Sequence, residues 1–162
     1  MGVSGDDVVA SRALRAPWGK IRISVSARGV REVRLDQVSR RDRGDSPILD
    51  EVVRQLEEYF QGERRRFDLP FDLHGTEFQR RVWKALARVP FGATLSYGDL
   101  ARKAGSARGY RAVGQAVGRN PLPILVPCHR VLAAGGGLGG FSGGLPLKKR
   151  LLAIEGHSFV RG

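Results

Sequence analysis

Ser96-Tyr97-Gly98-Asp99-Leu100-Ala101, followed after a short gap by Tyr110-Arg111-Ala112-Val113-Gly114-Gln115-Ala116-Val117-Gly118, organises the reading of the whole chain. Ser96 and Asp99 have the spacing of a capping box, in which a hydroxyl accepts from the N–H three residues on and an acidic side chain reaches back. The spacing predicts a helix running to about Ala104 and stopping at Gly105. Tyr110 to Gly118 reads as a second helix, with Val113 and Val117 facing inward. Two short helices joined through glycine have the form of a helix-turn-helix, whose second helix usually enters a DNA groove. Short helix pairs also occur without DNA, so the charge around this one decides how it is read.

The formal net charge is +12 over 162 residues. Residues 1–75 hold 14 Lys+Arg against 13 Asp+Glu, whereas residues 76–162 hold 14 against three, Glu77, Asp99 and Glu155. A composition bias would spread evenly. A near-neutral first half joined to a strongly cationic second half points to a polyanion for the second half, nucleic acid first, because each phosphate neutralised releases counterions.

Upstream, Gly19 to Ser26 alternates apolar and polar residues and Val30 to Leu35 does so again across a turn at Arg28-Gly29, which predicts a hairpin. Ser46-Pro47 starts a helix well, with Ser as N-cap and Pro in the first turn, and Ile48, Val52, Leu56, Tyr59 and Phe60 give it one apolar face before Gly62 ends it. Phe67, Leu69, Phe71 and Leu73 suggest a short strand in the connecting segment. Thr76 is the expected N-cap of a helix whose stripe is Phe78, Val82, Trp83 and Leu86. The expected organisation is an α/β N-terminal domain, a small antiparallel sheet plus helix, over 1–75. A mostly helical domain carrying DNA contacts and the active site is expected over 76–162.

Downstream lies Asn120-Pro121-Leu122-Pro123-Ile124-Leu125-Val126-Pro127-Cys128-His129-Arg130-Val131. Lone cysteines are commonly small buried hydrophobes. Here Pro127 bars a regular helix, and His129 and Arg130 place a base and a permanent positive charge beside the only thiol, which would favour a thiolate. The base could act on the thiol directly or through a water. A single cysteine allows no internal disulfide, and one cysteine with three scattered histidines leaves no expected zinc site. Met1 to Ala10 lacks the basic start and apolar run of a signal peptide, and no run is long enough for a membrane span; a cytoplasmic protein is expected.

Pro127-Cys128-His129-Arg130-Val131 resembles the signature of the O6-alkylguanine-DNA alkyltransferases, the methylated-DNA–protein-cysteine methyltransferases. The likeness takes in Gly75-Thr76-Glu77-Phe78-Gln79, Val82-Trp83, Ser96-Tyr97-Gly98, Arg111-Ala112-Val113-Gly114, Asn120-Pro121, Gly140-Phe141-Ser142-Gly143-Gly144 and Leu151-Leu152-Ala153-Ile154-Glu155-Gly156. These ordered motifs span nearly all of 75–156; the first half matches only in layout. The resemblance implies a winged-helix-like second domain, a nucleotide rotated out of duplex DNA, and transfer of its O6-alkyl group to Cys128 in a single turnover. It implies that His129 draws the thiol proton through a water, that Glu155 orients His129, and that Asn120 holds the turn before the active-site strand. Tyr97, Phe141, Gly143, the Ser142 N–H and the Val131 carbonyl would line or contact the guanine. Arg111 would fill the gap left by the flipped base, with Tyr110, Ala112, Gly114 and Arg119 on the DNA side; a plain phosphate contact for Arg111 stays open. No cofactor and no metal is implied, and the expected partner is duplex DNA carrying O6-alkylguanine, bound by a monomer, with O4-alkylthymine and cooperative binding left open.

The chain departs from the family pattern at Tyr110, where a small residue is usual, at Gln115, often glycine, and at Phe141, frequently tyrosine. Three other functions compete with this reading: an alkyltransferase-like lesion binder, which would lack the cysteine; a Cys–His hydrolase, which has no use for a cationic half; and a sequence-specific regulator.

Overall fold

The structure, a computed structural model, describes residues 8–36, 41–106, 109–133, 135, 137–141 and 143–157. The chain divides into two compact units, Met1–His74 and Gly75–Gly162.

In the first unit, β1 (Val8–Ala16), β2 (Gly19–Ser26) and β3 (Val30–Arg34) form an antiparallel sheet in that order. The expected hairpin is β2–β3. β1 was not anticipated, because Val8-Val9-Ala10 run together and Arg12 and Arg15 interrupt any simple alternation. Strand pleating sends Ile21, Ile23 and Val25 to one face and Arg22, Ser24 and Ser26 to the other, and all six are buried. Helix α1 (Pro47–Phe60) packs on the sheet through buried Leu49, Val52, Leu56 and Tyr59. It starts where expected, since the Ser46 hydroxyl accepts from the N–H groups of Ile48 and Leu49.

The strand expected around Phe67 to Leu73 is reduced to one isolated bridge, Val30 with Phe71. Pro70 has no N–H to extend a ladder. Its carbonyl accepts from Val30 N at 2.9 Å, and a Cβ at Gly29 would stand 2.5 Å from that same oxygen, so only glycine allows the approach.

In the second unit, α2 (Glu77–Ala87) begins with a capping box between Thr76 and Gln79. Trp83 of α2 is buried and donates through its indole N–H to the Ala116 carbonyl at 2.8 Å. That bond ties α2 to α4 (Tyr110–Gly118). Helix α3 (Tyr97–Lys103) carries the Ser96/Asp99 capping box, and α4 starts after Gly109 at φ +83. Val113, Ala116 and Val117 of α4 are buried, leaving Tyr110 and Arg111 exposed. A two-stranded parallel pair, β4 (Leu95–Ser96) with β5 (Val131–Leu132), was not expected; strands of two residues are too short for alternation to reveal. Helix α5 (Leu145–Ile154) closes the unit, with Leu147, Leu151 and Leu152 buried. A small antiparallel sheet with a helix, followed by a mostly helical unit, is the architecture the sequence indicated.

Candidate active site

The approach to Cys128 is a tight, partly strained loop. Asn120, just past the end of α4, donates from Nδ2 to the Val126 carbonyl at 2.7 Å and accepts from the Leu122 N–H at 2.9 Å. Within this bracket Ile124 has φ +77, a conformation unfavourable for a β-branched residue and costing on the order of 1–3 kcal/mol. The Asn120 bonds and the Val126 N–H to Leu122 carbonyl bond, 2.8 Å, hold it there.

Cys128, His129 and Arg130 then form one 3-10 turn ahead of β5, and all three are buried. The cysteine therefore sits on the turn that leads into β5. With three residues per turn, successive side chains diverge by about a third of a rotation. Cys128 thereby lines the cleft while the two side chains after it do not.

His129 and Arg130 converge on Glu155, which follows α5. His129 Nε2 lies 2.6 Å from Glu155 Oε2, with both side chains fully shielded. Arg130 forks onto the same carboxylate, Nε to Oε1 at 2.8 Å and Nη2 to Oε2 at 2.9 Å, while its Nη1 donates to the Val89 carbonyl at 2.5 Å. The Gly92 N–H adds a longer bond to Oε1 at 3.3 Å. This corrects one expectation: Arg130 does not stabilise the thiolate, because its guanidinium is engaged by Glu155. His129 Nδ1 is buried and makes no hydrogen bond with any described residue.

The charge that reaches the thiol comes from Lys148, which sequence reasoning did not single out. Its Nζ is fully buried and donates to the carbonyls of Val131 at 2.7 Å, Gly140 at 3.0 Å and Leu138. The Val131 carbonyl, expected to face a guanine amine, thus already accepts from Lys148. A signal was available: Lys148 stands three and four residues before Leu151 and Leu152, on the apolar stripe of α5, where a solvated lysine does not belong.

Burial pushes the Cys128 thiol up to about 11, opposed by the Asn120 side chain and the Lys148 charge. Burial lowers His129 below its usual range against the pull of Glu155, and lowers Lys148 to about 8. Near neutral pH the resting site therefore pairs a thiol with a neutral imidazole and an ammonium.

A cleft of about 180 Å³ opens onto Cys128. Tyr97 and Phe141 give it aromatic walls, Gly114, Val117 and Gly118 of α4 form one side, and Gly140 another. The Tyr97 hydroxyl is held as a phenol, raised first by burial and then by the cysteine charge. A Cβ at Gly114 would only touch the Tyr97 ring, at 3.7 Å, so helix and ring are in close contact. Of the remaining expected residues, Gly143 is exposed and absent from the lining, and Ser142 lies outside the described residues. Ala112 is half-buried, Arg111 and Arg119 are exposed, and Tyr110 is 63% exposed.

Two family models match. One described as 6-O-methylguanine DNA methyltransferase, DNA binding domain, covers residues 77–157; another, the ribonuclease-like domain of the same family, covers 12–73. A methylated-DNA–protein-cysteine methyltransferase of Mycolicibacterium paratuberculosis is 54% identical over 104 residues, 64% of this chain and 63% of that protein. The match thus spans just under two thirds of that relative's length. One from Methanosarcina barkeri is 39% identical over 88% of this chain and 94% of its own. The crystal structure of Mycobacterium tuberculosis OGT in complex with DNA superposes with a TM-score of 0.81 at 43% identity, covering 90% of this chain and 91% of that one.

Proposed function

The chain belongs to the 6-O-methylguanine DNA methyltransferase family, and from that premise we propose that it repairs DNA by direct reversal, moving an alkyl group from guanine O6 to its own Cys128. The observation that carries the proposal is the buried His129–Glu155 pair, whose histidine shares a turn with a thiol that opens into an aromatic-walled cleft.

Glu155 accepts from Nε2–H, which leaves the lone pair of a neutral imidazole on Nδ1. Nδ1 takes the thiol proton, through a water. The sulfur electron pair then displaces the O6–alkyl bond: S–C forms, C–O breaks, and the bonding pair stays on the guanine oxygen. The departing guanine anion takes up the proton that left the thiol, passed on from the His129 imidazolium through water, so that base and imidazole both end neutral, with the Tyr97 phenol donating a hydrogen bond towards the ring. Lys148 favours the developing thiolate by charge alone. A thioether is not readily reversed, so each chain acts once.

The α3–α4 pair serves as a winged-helix-like helix-turn-helix, with α4 as recognition helix and Tyr110, Arg111, Ala112, Gly114 and Arg119 on its DNA side. Phe141, Gly143, the Ser142 N–H and the Val131 carbonyl receive the base. The cationic second half supports duplex DNA as partner. No described helix is long and apolar enough to cross a membrane, and the cytoplasm is the proposed location. Intact-protein mass spectrometry after mixing with an equal amount of duplex carrying one O6-methylguanine tests the proposal. One added methyl per chain, mapped to Cys128 and absent in Cys128→Ser, is expected; an unchanged mass refutes it.

A further inference from the structure

The first unit is near neutral overall, yet the sheet carries a local concentration of positive charge. A basin of about 310 Å³ is lined by Val8, Ser11, Arg22, Ser24, Glu32, Arg34, Arg41 and Arg43. The strand register builds it. Ser11 pairs with Ser24 and Ser24 with Glu32, a polar row across all three strands, and Arg22 pairs with Arg34 in a neighbouring row. Because side chains alternate along a strand, Arg22 and Ser24 share the face opposite buried Ile21, Ile23 and Val25. The segment returning through Arg41 and Arg43 borders the basin, fixed by reciprocal backbone bonds between Ser11 and Arg43 at 2.8 and 2.9 Å.

At the floor is Arg22, only 3% exposed. Its Nη1 donates to Ser11 Oγ at 2.8 Å, to the Arg41 carbonyl at 3.4 Å, and makes a loose contact with Asp42 Oδ1 at 3.5 Å, a carboxylate more than half exposed. Arg34 and Glu32 meet at 3.7 Å, both partly in solvent. Four arginines thus face two carboxylates, Glu32 and an Asp42 that also accepts from the Ala13 N–H at 2.8 Å, with two serine hydroxyls as further donors. Planar guanidinium forks combined with hydroxyls suit a tetrahedral oxyanion.

We propose that this basin is an anion site for a phosphate group, taken either from free phosphate or from a nucleic-acid backbone. It is separate from the cleft at Cys128 and stands whether or not alkyl transfer is the activity. The two sources share one recognition chemistry and differ in what the site does: a backbone phosphate adds a second anchor on DNA, whereas free phosphate makes a ligand site on the first unit.

The experiment titrates the full chain with inorganic phosphate while following arginine Nε–H signals by NMR. The variants are Arg34→Gln and Arg41→Gln, both at exposed positions, with Arg111→Gln as a control in the second unit. Saturable shifts that weaken at least tenfold in Arg34→Gln and Arg41→Gln but persist in Arg111→Gln support the site. No saturable shift, or loss only in Arg111→Gln, overturns it. The source is then read from undamaged duplex. A salt slope shallower by about 0.9 in Arg34→Gln assigns a backbone phosphate, and an unchanged slope alongside lost phosphate binding assigns the free anion.

Discussion

His129 meets Glu155 through Nε2 at 2.6 Å, and the same carboxylate is gripped from the other side by Arg130. In the proposed mechanism this one buried anion sets the tautomer of the His129 base, and it also locks the turn that carries Cys128. Replacing it separates these two effects only poorly. Glu155→Gln leaves Arg130 buried without its charge partner, and a loss of about 3–5 kcal/mol in stability is expected. Single-turnover transfer should fall by roughly a hundredfold or more, the scale of a disabled acid–base group. Rapid-quench kinetics on a still-folded sample, checked by thermal melting, tests both; an unimpaired rate would remove Glu155 from the mechanism.

Lys148 gives a prediction in pH. Its ammonium spans the carbonyls of Val131, Leu138 and Gly140 and titrates at about 8, below its usual value. Below pH 8 the clasp is intact. Above it the amine loses a proton and with it a donor, so transfer should slow as pH rises from 8. The stability sign is opposite. Between about 8 and the ordinary lysine value near 10.4 the unfolded chain binds more protons than the native one, so this group's contribution to stability rises with pH. Lys148→Met should lower the rate at pH 7 by roughly tenfold to a hundredfold and flatten its decline above 8. A decline that persists in the variant belongs to another group.

Tyr110 and Arg111 stand exposed at the start of α4, and Tyr110 lies one helical turn before Gly114, which lines the cleft. Tyr110→Ala is expected to weaken duplex binding by about 1 kcal/mol, roughly fivefold, the low end of stacking on an aromatic side chain. Arg111→Ala distinguishes two roles. A phosphate contact reduces the salt slope by about 0.9, whereas a finger filling the stack leaves the slope and lowers transfer. Fluorescence anisotropy across a salt series, paired with transfer rates, reads both.

Alkylation should destabilise the protein. Cys128 is only 5% exposed on a turn held by Asn120, so an added methyl overpacks its surroundings by roughly 1–3 kcal/mol. At about 2–4 °C per kcal/mol for a chain of this size, the melting temperature should drop by several degrees. Equal melting temperatures before and after reaction would count against a tightly packed site.

Much of the fold was legible because it is local. Ser46, Thr76 and Ser96 cap the helices they precede, since a cap depends on a few consecutive residues. The α4 limits followed from glycine and a short apolar period. What was misread depended on distant partners. β1 is a strand because β2 lies beside it, and the Phe67–Leu73 alternation yields no strand because Pro70 interrupts the available edge.

By itself the sequence determined the reactive unit, a thiol followed by a base and a cation after a proline, and the charge asymmetry that points the second half at a polyanion. Both are properties of composition and adjacency. Only the tertiary structure decided which cation serves which anion. Arg130, next to the base, turns to Glu155, while Lys148, twenty residues after the cysteine, brings charge to the thiol. The 3-10 turn separates the thiol from the two side chains that follow it, and packing brings residues of and after α5 to each. Charge pairing in a buried site is set by distance in space, which the order of residues along the chain does not encode.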